Sequence, residues 1–185
     1  MTQTDLSKYN NAWFDEGAGI VMRTIWFFIN ALFFINPYNP FSGCKVRLLR
    51  LFGAKVGKGV VIKPAVNIKY PWKLTIGNYV WIGERVWIDN LDQVIIGDHC
   101  CLSQEAMILI GNHNYKQETF DLMVEPVVLE SGVWIGARSI VVGGVTCESH
   151  SVLSVHSVAS TSLKAYSVYR GNPAIKIKTR TITSR

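Results

Sequence analysis

Branched aliphatic residues recur at steps of six along most of the chain, and this period predicts a three-sided solenoid. The in-phase positions form four series: Val56, Ile62, Ile68 and Leu74; Ile76, Ile82 and Ile88; Ile96, Leu102 and Ile108; and Leu129, Ile135, Val141, Cys147, Leu153 and Ala159. Neither a helix, which repeats every 3.6 residues, nor a simple strand, which repeats every two, explains a period of six. A prism with one short strand and a turn on each side does explain it, because each coil buries its apolar side against the next.

The residues around each large aliphatic complete the repeat. A small or branched residue follows four positions later, at Val60, Val66, Val80, Val86, Cys100, Ala106, Val133, Ser139, Val145, Ser151 and Ser157. A glycine often follows directly, at Gly57, Gly77, Gly83, Gly97 and Gly136. We expect the small residue at a crowded corner and the glycine to relieve the backbone at the bend. About five coils of about 18 residues would cover residues 56–163, so we predict an all-β solenoid, a parallel β-helix, over residues 55–165.

Two helices are predicted before the solenoid, over residues 19–35 and 41–52, with a proline-containing breaker between them. The apolar core of the first, residues 25–35, is too short for a membrane span, which needs about 20 residues. We interpret it as an amphipathic helix packed on its own protein, with peripheral membrane contact as the alternative. The second is basic and amphipathic. We expect residues 1–54 to cap the open end of the solenoid.

The formal net charge of +6 is unevenly distributed. No acidic residue occurs between residues 17 and 83 or after Glu148, and residues 166–185 form a basic C-terminal segment. Such ends suit nucleic acid, a membrane surface or a phosphorylated cofactor; no nucleic-acid-binding module is recognised. Four cysteines without CxxC spacing, and no signal-peptide pattern, predict free thiols in the cytoplasm. The scattered His and Cys residues predict no metal site.

The hexad series is interrupted between Ile108 and Leu129, which predicts a loop insertion over residues 110–127. Insertions of this kind lie on one face of a solenoid and commonly carry function. His113 lies near the start of this one, and histidine can accept a proton near neutral pH. His99, His150 and His156 fall at predicted corners instead.

The hexad ladder, the Gly-Asn-His-Asn sequence at 111–114 and the ending Tyr-Arg-Gly-Asn-Pro-Ala at 169–174 resemble the hexapeptide-repeat O-acetyltransferases, which include maltose, galactoside and serine acetyltransferases. Residues 48–55 and 70–75 are most similar to the colanic-acid-biosynthesis branch. The resemblance covers residues 46–178. It implies a left-handed parallel β-helix, a homotrimer, acetyl-CoA as co-substrate and a hydroxyl of a sugar or polysaccharide precursor as acceptor.

The same resemblance implies roles for individual residues. His113 matches the catalytic histidine, which would act as general base in direct transfer. The positions that match cofactor contacts are Ala137, Val155, Ser160, Thr161, Gly171, Asn172, Lys176 and Lys178. The residues expected at the acceptor are Asp89, Asn90, Asp92, Asn112 and Tyr115. Relatives often have a carboxylate where Asn90 stands and a lysine where Thr161 stands, so the acceptor and phosphate contacts differ here.

Three alternatives stay open at this point. A general base serves an amine as well as a hydroxyl, so an N-acetyltransferase of an amino sugar, or transfer to an amino-acid hydroxyl, is compatible with the sequence. A non-catalytic β-helix scaffold would use the same hexads. Four tryptophans either pack between subunits or stack on a sugar: Trp72, Trp81, Trp87 and Trp134, of which Trp72 and Trp87 are the strongest candidates for stacking.

Overall fold

The computed structural model describes residues 3–184 and is a parallel β-solenoid preceded by helices, which confirms the predicted fold class. Three stacks of short parallel strands form its faces. The first face consists of β1 (Lys55–Val56), β4 (Leu74–Ile76), β7 (Val94–Ile96), β12 (Val127–Leu129) and β15 (Thr146–Cys147). The second consists of β2 (Val61–Ile62), β5 (Trp81–Ile82), β8 (Cys101–Leu102), β13 (Trp134–Ile135), β16 (Val152–Leu153) and β18 (Ser167–Arg170), which β19 (Ile175–Thr179) joins antiparallel. The third consists of β3 (Asn67–Ile68), β6 (Trp87–Asp89), β9 (Met107–Leu109), β14 (Ile140–Val142) and β17 (Val158–Ala159).

The large aliphatic residues of the hexads point into the prism and form its core. All of them are buried except Val56, which is half-buried in the first coil. Equivalent residues lie in register from coil to coil, as Ile62, Ile82 and Leu102 do on the second face. The parallel ladder continues past residue 165, because β18 pairs with β16. The chain therefore makes five complete coils and part of a sixth.

The corners are built by residues with positive φ, and they lie directly before the small buried residue. Eight such corners use a non-glycine residue with φ between 55° and 60°: Ala65, Tyr79, Arg85, His99, Glu105, Arg138, His150 and His156. The prediction that His99, His150 and His156 occupy corners is therefore confirmed.

The glycines after the large aliphatics have a different role from the predicted one. A Cβ on Gly57 would lie 2.6 Å from the backbone carbonyl carbon of Gly77 in the next coil. A Cβ on Gly136 would lie 2.6 Å from the backbone nitrogen of Val155. The prediction that these glycines relieve the bend is wrong: they allow neighbouring coils to stack closely.

Helix α1 (Ile20–Ile29) continues as a π-helix (Asn30–Ile35), and α2 (Ser42–Leu51) follows. Helix α2 lies across the open end of the first coil. The Arg50 guanidinium donates hydrogen bonds to the carbonyls of Val56 and Gly57, each at 2.8 Å. The buried Lys45 ammonium donates to the carbonyl of Lys63 at 2.8 Å. These side chains pair backbone acceptors that have no strand beyond them.

The first helix packs on the solenoid through a narrow strip only. Trp26, Asn30 and Phe34 are its buried residues. Most of its other apolar side chains are exposed: Ile20, Val21, Met22, Ile25, Phe27, Phe28, Leu32, Phe33 and Ile35. The interpretation as a helix whose apolar side packs on its own protein is thus wrong for most of its surface. No helix within residues 3–184 is long and apolar enough to cross a membrane.

Candidate active site

Every break in the hexad phase falls at the same corner, between the third and first faces. Ile68 to Ile76 and Ile88 to Ile96 each take eight residues instead of six. The extra residues form a 3-10 turn (Pro71–Lys73) and a turn at 90–93. The insertion at 110–126 leaves from this corner too, and folds as a hairpin of β10 (Asn112–His113) and β11 (Leu122–Met123). We call residues 69–73, 90–93 and 110–126 the histidine corner.

His113 is held with one ring nitrogen engaged and the other available. Its Nδ1 lies 2.9 Å from the carbonyl oxygen of Phe120. A carbonyl only accepts hydrogen bonds, so Nδ1 carries the proton and Nε2 keeps the lone pair. The Phe120 ring stacks on the imidazole at 4.4 Å between centroids and 8° between planes. These two contacts fix the tautomer and the ring plane of the imidazole, and a general base requires both.

The hairpin shows backbone strain next to the histidine. Phe120 has φ of +53°, in the left-handed region that bulky side chains seldom adopt. This conformation accompanies both Phe120 contacts to His113, the ring stack and the hydrogen-bonded carbonyl. Strain of this kind concentrates where function needs a fixed geometry.

The N-terminal residues hold the hairpin from outside. The backbone N–H of Asp5 donates to the carbonyl of Glu118 at 2.8 Å, and the Lys8 ammonium lies 3.1 Å from the Glu118 carboxylate. The Tyr9 ring lies 5.9 Å from the imidazole of His113, on a tilted plane. The sequence pattern gave no sign of these contacts, because they join segments about 110 residues apart.

The residues predicted at the acceptor lie on or next to this corner, but they are not equally accessible. Asn112 and Tyr115 are exposed on the hairpin, and Asp92 is half-buried in the 90–93 turn. Asp89 is nearly buried, and its carboxylate lies 3.0 Å from the Lys69 ammonium.

Asn90 is fully buried, and both groups of its amide are paired with one residue of the coil below. Its oxygen accepts from the backbone N–H of Tyr70 at 3.0 Å, and its nitrogen donates to the Tyr70 carbonyl at 2.5 Å. These bonds do not support a contact between Asn90 and an acceptor. They assign Asn90 to holding the two turns of the corner together.

A groove of about 400 Å³ lies beside the histidine corner, between α1 and the third face. Its lining combines aromatic rings with charged groups: Arg23, Trp26, Phe27, Asn30, Ala31, Ile35, Asn67, Lys69, Tyr70, Trp72, Trp87 and Asp89. Tyr70 and Trp72 stack at 5.2 Å between ring centroids. Burial raises the pKa of Tyr70, so its hydroxyl stays protonated. We call this cleft the aromatic groove.

A second groove, of about 980 Å³, runs along the second face and its corner with the third. Small residues line its floor, among them Gly136 and Ala137, and cations line its wall: Arg170, Lys178 and Arg180. Ala137, Val155 and Lys178 are the predicted cofactor residues that line it. Ser160, Thr161, Gly171, Asn172 and Lys176 do not, and all but Gly171, which is half-buried, are exposed elsewhere. We call this cleft the basic groove.

The histidine corner and the basic groove lie on opposite sides of the prism. The corner joins faces one and three, whereas the basic groove follows face two. A single chain therefore does not bring His113 to the basic groove.

Comparison with known proteins gives the family. The chain is 36% identical to WcaF of Escherichia coli K12, named as a colanic acid biosynthesis acetyltransferase, over 97% of this chain and 98% of the relative. It belongs to this family of acetyltransferases. The expectation of an acyltransferase is thereby confirmed. No protein-family model matches the chain.

Solved structures share the fold at low identity. The hexapeptide-repeat acetyltransferase VCA0836 of Vibrio cholerae, complexed with acetyl-coenzyme A, has a TM-score of 0.79 at 20% identity, covering 91% of this chain and 93% of that one. A maltose O-acetyltransferase of Clostridium difficile has a TM-score of 0.75 at 19% identity, covering 98% and 100%. AntD of Bacillus cereus, an N-acyltransferase complexed with dTDP-4-amino-4,6-dideoxyglucose and coenzyme A, has a TM-score of 0.64 at 20% identity, covering 75% and 90%.

Proposed function

We propose that the protein is an acetyl-CoA-dependent O-acetyltransferase that modifies a hydroxyl of a sugar or polysaccharide precursor, with His113 as general base. The observation that carries the proposal is the state of the imidazole. Its Nδ1 is occupied by the Phe120 carbonyl and its ring plane is fixed by Phe120, which leaves Nε2 to take a proton.

The basic groove suits acetyl-CoA in shape and charge. Its floor at Gly136 and Ala137 carries only small side chains, which leave room for a slender pantetheine arm, and its wall offers cations to phosphates. Arg180 is held in place by hydrogen bonds from its guanidinium to the carbonyls of Gly132 and His150. Bound there, acetyl-CoA would supply the acetyl group for transfer, activated as a thioester.

The chain's own groups then perform two tasks. His113 removes the proton from the acceptor hydroxyl as its oxygen attacks the thioester carbonyl. The C–S bond of the thioester then breaks, and His113 returns the proton to the departing CoA thiolate. The aromatic groove orients the acceptor, since Trp87 offers a ring face and Lys69 and Asp89 offer hydrogen bonds. The Asp89 carboxylate lies beside the start of the hairpin that carries His113, because a Cβ on Gly111 would lie 3.5 Å from its Oδ2. A saccharide held there places a hydroxyl near Nε2.

The position of the two half-sites supports the homotrimer that the family resemblance implies. Because the histidine corner and the basic groove face away from each other in one chain, a complete site needs His113 of one copy against the basic groove of another. Three copies about a threefold axis close such head-to-tail contacts into a ring.

Subunit mixing tests this arrangement. We expect His113→Ala and Ala137→Trp each to be inactive alone, the first for lack of a base and the second because an indole fills the basic groove. Co-refolding the two at equal amounts should restore about a quarter of wild-type activity, since one interface in four pairs two intact halves. No recovery in verified mixed trimers would contradict a shared site.

The base itself is tested by a matched pair of histidine variants. His113→Asn should lower kcat for acetyl transfer by about 10² to 10⁴-fold while calorimetry still detects acetyl-CoA binding. His99→Asn removes a corner histidine between the first and second faces, where asparagine tolerates the φ of 58°, and should retain activity. Near wild-type turnover of His113→Asn would overturn the assignment, and absence of acetyl-CoA binding by the wild type would favour the scaffold.

AntD shares the fold and is an N-acyltransferase, so the N-acetyltransferase alternative is tested as well. Parallel assays on p-nitrophenyl β-galactoside, maltose and glucosamine separate hydroxyl from amine acceptors. We propose a cytoplasmic location, at the inner face of the membrane, on the evidence of the exposed apolar helix.

A further inference from the structure

The N-terminal helix exposes most of its apolar side chains and buries a polar one. The amide of the buried Asn30 donates to the Asn67 oxygen at 2.7 Å, and Arg23 is paired with Glu16. On the outside, the exposed fractions are 67% for Phe27 and 62% for Leu32. A helix that faces water on its outer side carries polar residues there. The outer side of this helix carries apolar residues instead.

The outer residues form a continuous stripe. Val21, Ile25, Phe28, Leu32 and Ile35 follow one another at helical spacing, and each is apolar and exposed. Exposed apolar patches of this extent mark contact sites for membranes or proteins.

The charge of the segment that carries the stripe distinguishes between a membrane and a protein partner. Residues 17–83 contain no acidic residue, and their exposed cations include Arg47, Arg50, Lys55, Lys58 and Lys63. Arg47 shares a shallow apolar cleft with Phe41 and Leu51, two further exposed apolar residues. Apolar side chains bordered by cations are the pattern of helices that lie in the interface of an anionic bilayer.

We propose that α1, its π-helical continuation and the Phe41–Leu51 edge of α2 form a peripheral binding surface for an anionic lipid bilayer. The outer stripe enters the boundary between headgroups and acyl chains, and Arg47 binds lipid phosphate. This deepens the location proposed for the transferase by naming the surface and the lipid charge. The aromatic groove borders the same helix, so an acceptor at the membrane surface would reach it directly.

Vesicle flotation tests this surface independently of acetyl transfer. The wild-type protein should float with vesicles of phosphatidylcholine containing 30% phosphatidylglycerol, more weakly at high salt and little with phosphatidylcholine alone. Phe28→Ser combined with Leu32→Ser should reduce the bound fraction roughly tenfold or more. Arg47→Glu should reduce binding several-fold and only to the anionic vesicles.

The control removes an exposed aromatic from another part of the molecule. Trp81, 62% exposed on the second face, is replaced in Trp81→Ser, which should bind vesicles like the wild type. All variants must keep the wild-type melting profile and activity on a water-soluble acceptor, p-nitrophenyl β-galactoside. Wild-type protein that fails to float, or a Phe28→Ser, Leu32→Ser double variant that floats normally, would overturn the proposal. A double variant that changes the mass measured by light scattering would assign the surface to contact between copies instead. A wild-type protein that floats with the anionic vesicles but transfers no acetyl group would overturn the enzymatic proposal alone.

Discussion

Replacing Gly83 by alanine tests whether the hexad glycines serve close stacking of coils. A Cβ at this position would lie 2.8 Å from the backbone nitrogen of Gln104 and 2.9 Å from the carbonyl oxygen of Leu102. Comfortable carbon contacts begin near 3.5 Å. The second and third coils must therefore separate locally by several tenths of an ångström, against the 2.8 Å hydrogen bond from Gly83 N–H to the Leu102 carbonyl.

The magnitude follows from overpacking and from the weakened hydrogen bond. Forcing one methyl group into a packed interior costs about 1–3 kcal/mol, and loss of one hydrogen bond about 1 kcal/mol. We expect Gly83→Ala to lower the free energy of unfolding by about 2–3 kcal/mol. For a chain of this length that lowers the melting temperature by about 5–10 °C.

Two matched substitutions should have the opposite sign. Gly43 lies in α2 with nothing within 4 Å of its Cβ position, so Gly43→Ala should stabilise by about 0.5–1 kcal/mol through helix propensity. Ala65 has φ of 59° at a corner, so Ala65→Gly should relieve about 1 kcal/mol of backbone strain. Thermal melts followed by circular dichroism compare the three. A Gly83→Ala protein as stable as the wild type would refute the close-stacking argument.

Three further predictions concern the site and the thiols. Tyr9→Ala should lower kcat several-fold without changing the KM for acetyl-CoA, and Tyr9→Phe should be near wild type, because the ring and not the hydroxyl contacts His113; equal kcat values would contradict this. Arg170→Glu with Lys178→Glu should raise the KM for acetyl-CoA roughly tenfold and leave the acceptor KM unchanged, and an effect on acceptor KM alone would contradict the placement of the cofactor. Burial raises the pKa of Cys100 to about 11 and of Cys147 to about 12. Their neutral thiols should therefore resist a disulfide reagent at pH 8 until the protein unfolds, and the stability they contribute, present below about pH 9, should fall as pH rises through the folded pKa values. Mass spectrometry that finds Cys147 labelled in the native protein would contradict their burial.

The fold was predictable because it rests on local repetition. A large aliphatic residue at every sixth position determines which side chains point into the prism, and each neighbouring coil has the same pattern. The glycine positions were predictable as well, but their purpose was not. Whether Gly57 is required by its own φ or by a backbone in the next coil depends on the distance between coils, which the sequence of one coil does not contain.

The candidate site was predictable only where its residues are neighbours in the sequence. His113 stands at the one long interruption of the hexads, so position alone indicates a role. Its partner Tyr9 and the cations of the basic groove come from distant segments. Periodicity likewise failed for α1, since an apolar stripe has the same spacing whether it faces the protein or the solvent. The burial of Trp26, Asn30 and Phe34 in the structure shows which side faces inward.

The two-residue phase shifts of the hexad indicate which corner of the prism holds the candidate site. A two-residue addition at Ile68–Ile76 and another at Ile88–Ile96 leave the core positions intact, so each lengthens only one corner turn. Face identity advances by one with each hexad, and counting hexads therefore assigns both additions and the histidine insertion to one corner before any coordinates are known. That count places Lys69 and Asp89 beside His113 and places Ala137 on a different corner. The second copy that we propose to complete the site therefore agrees with the sequence, once each phase shift is assigned to a corner of the prism and not treated as an irregularity of the repeat.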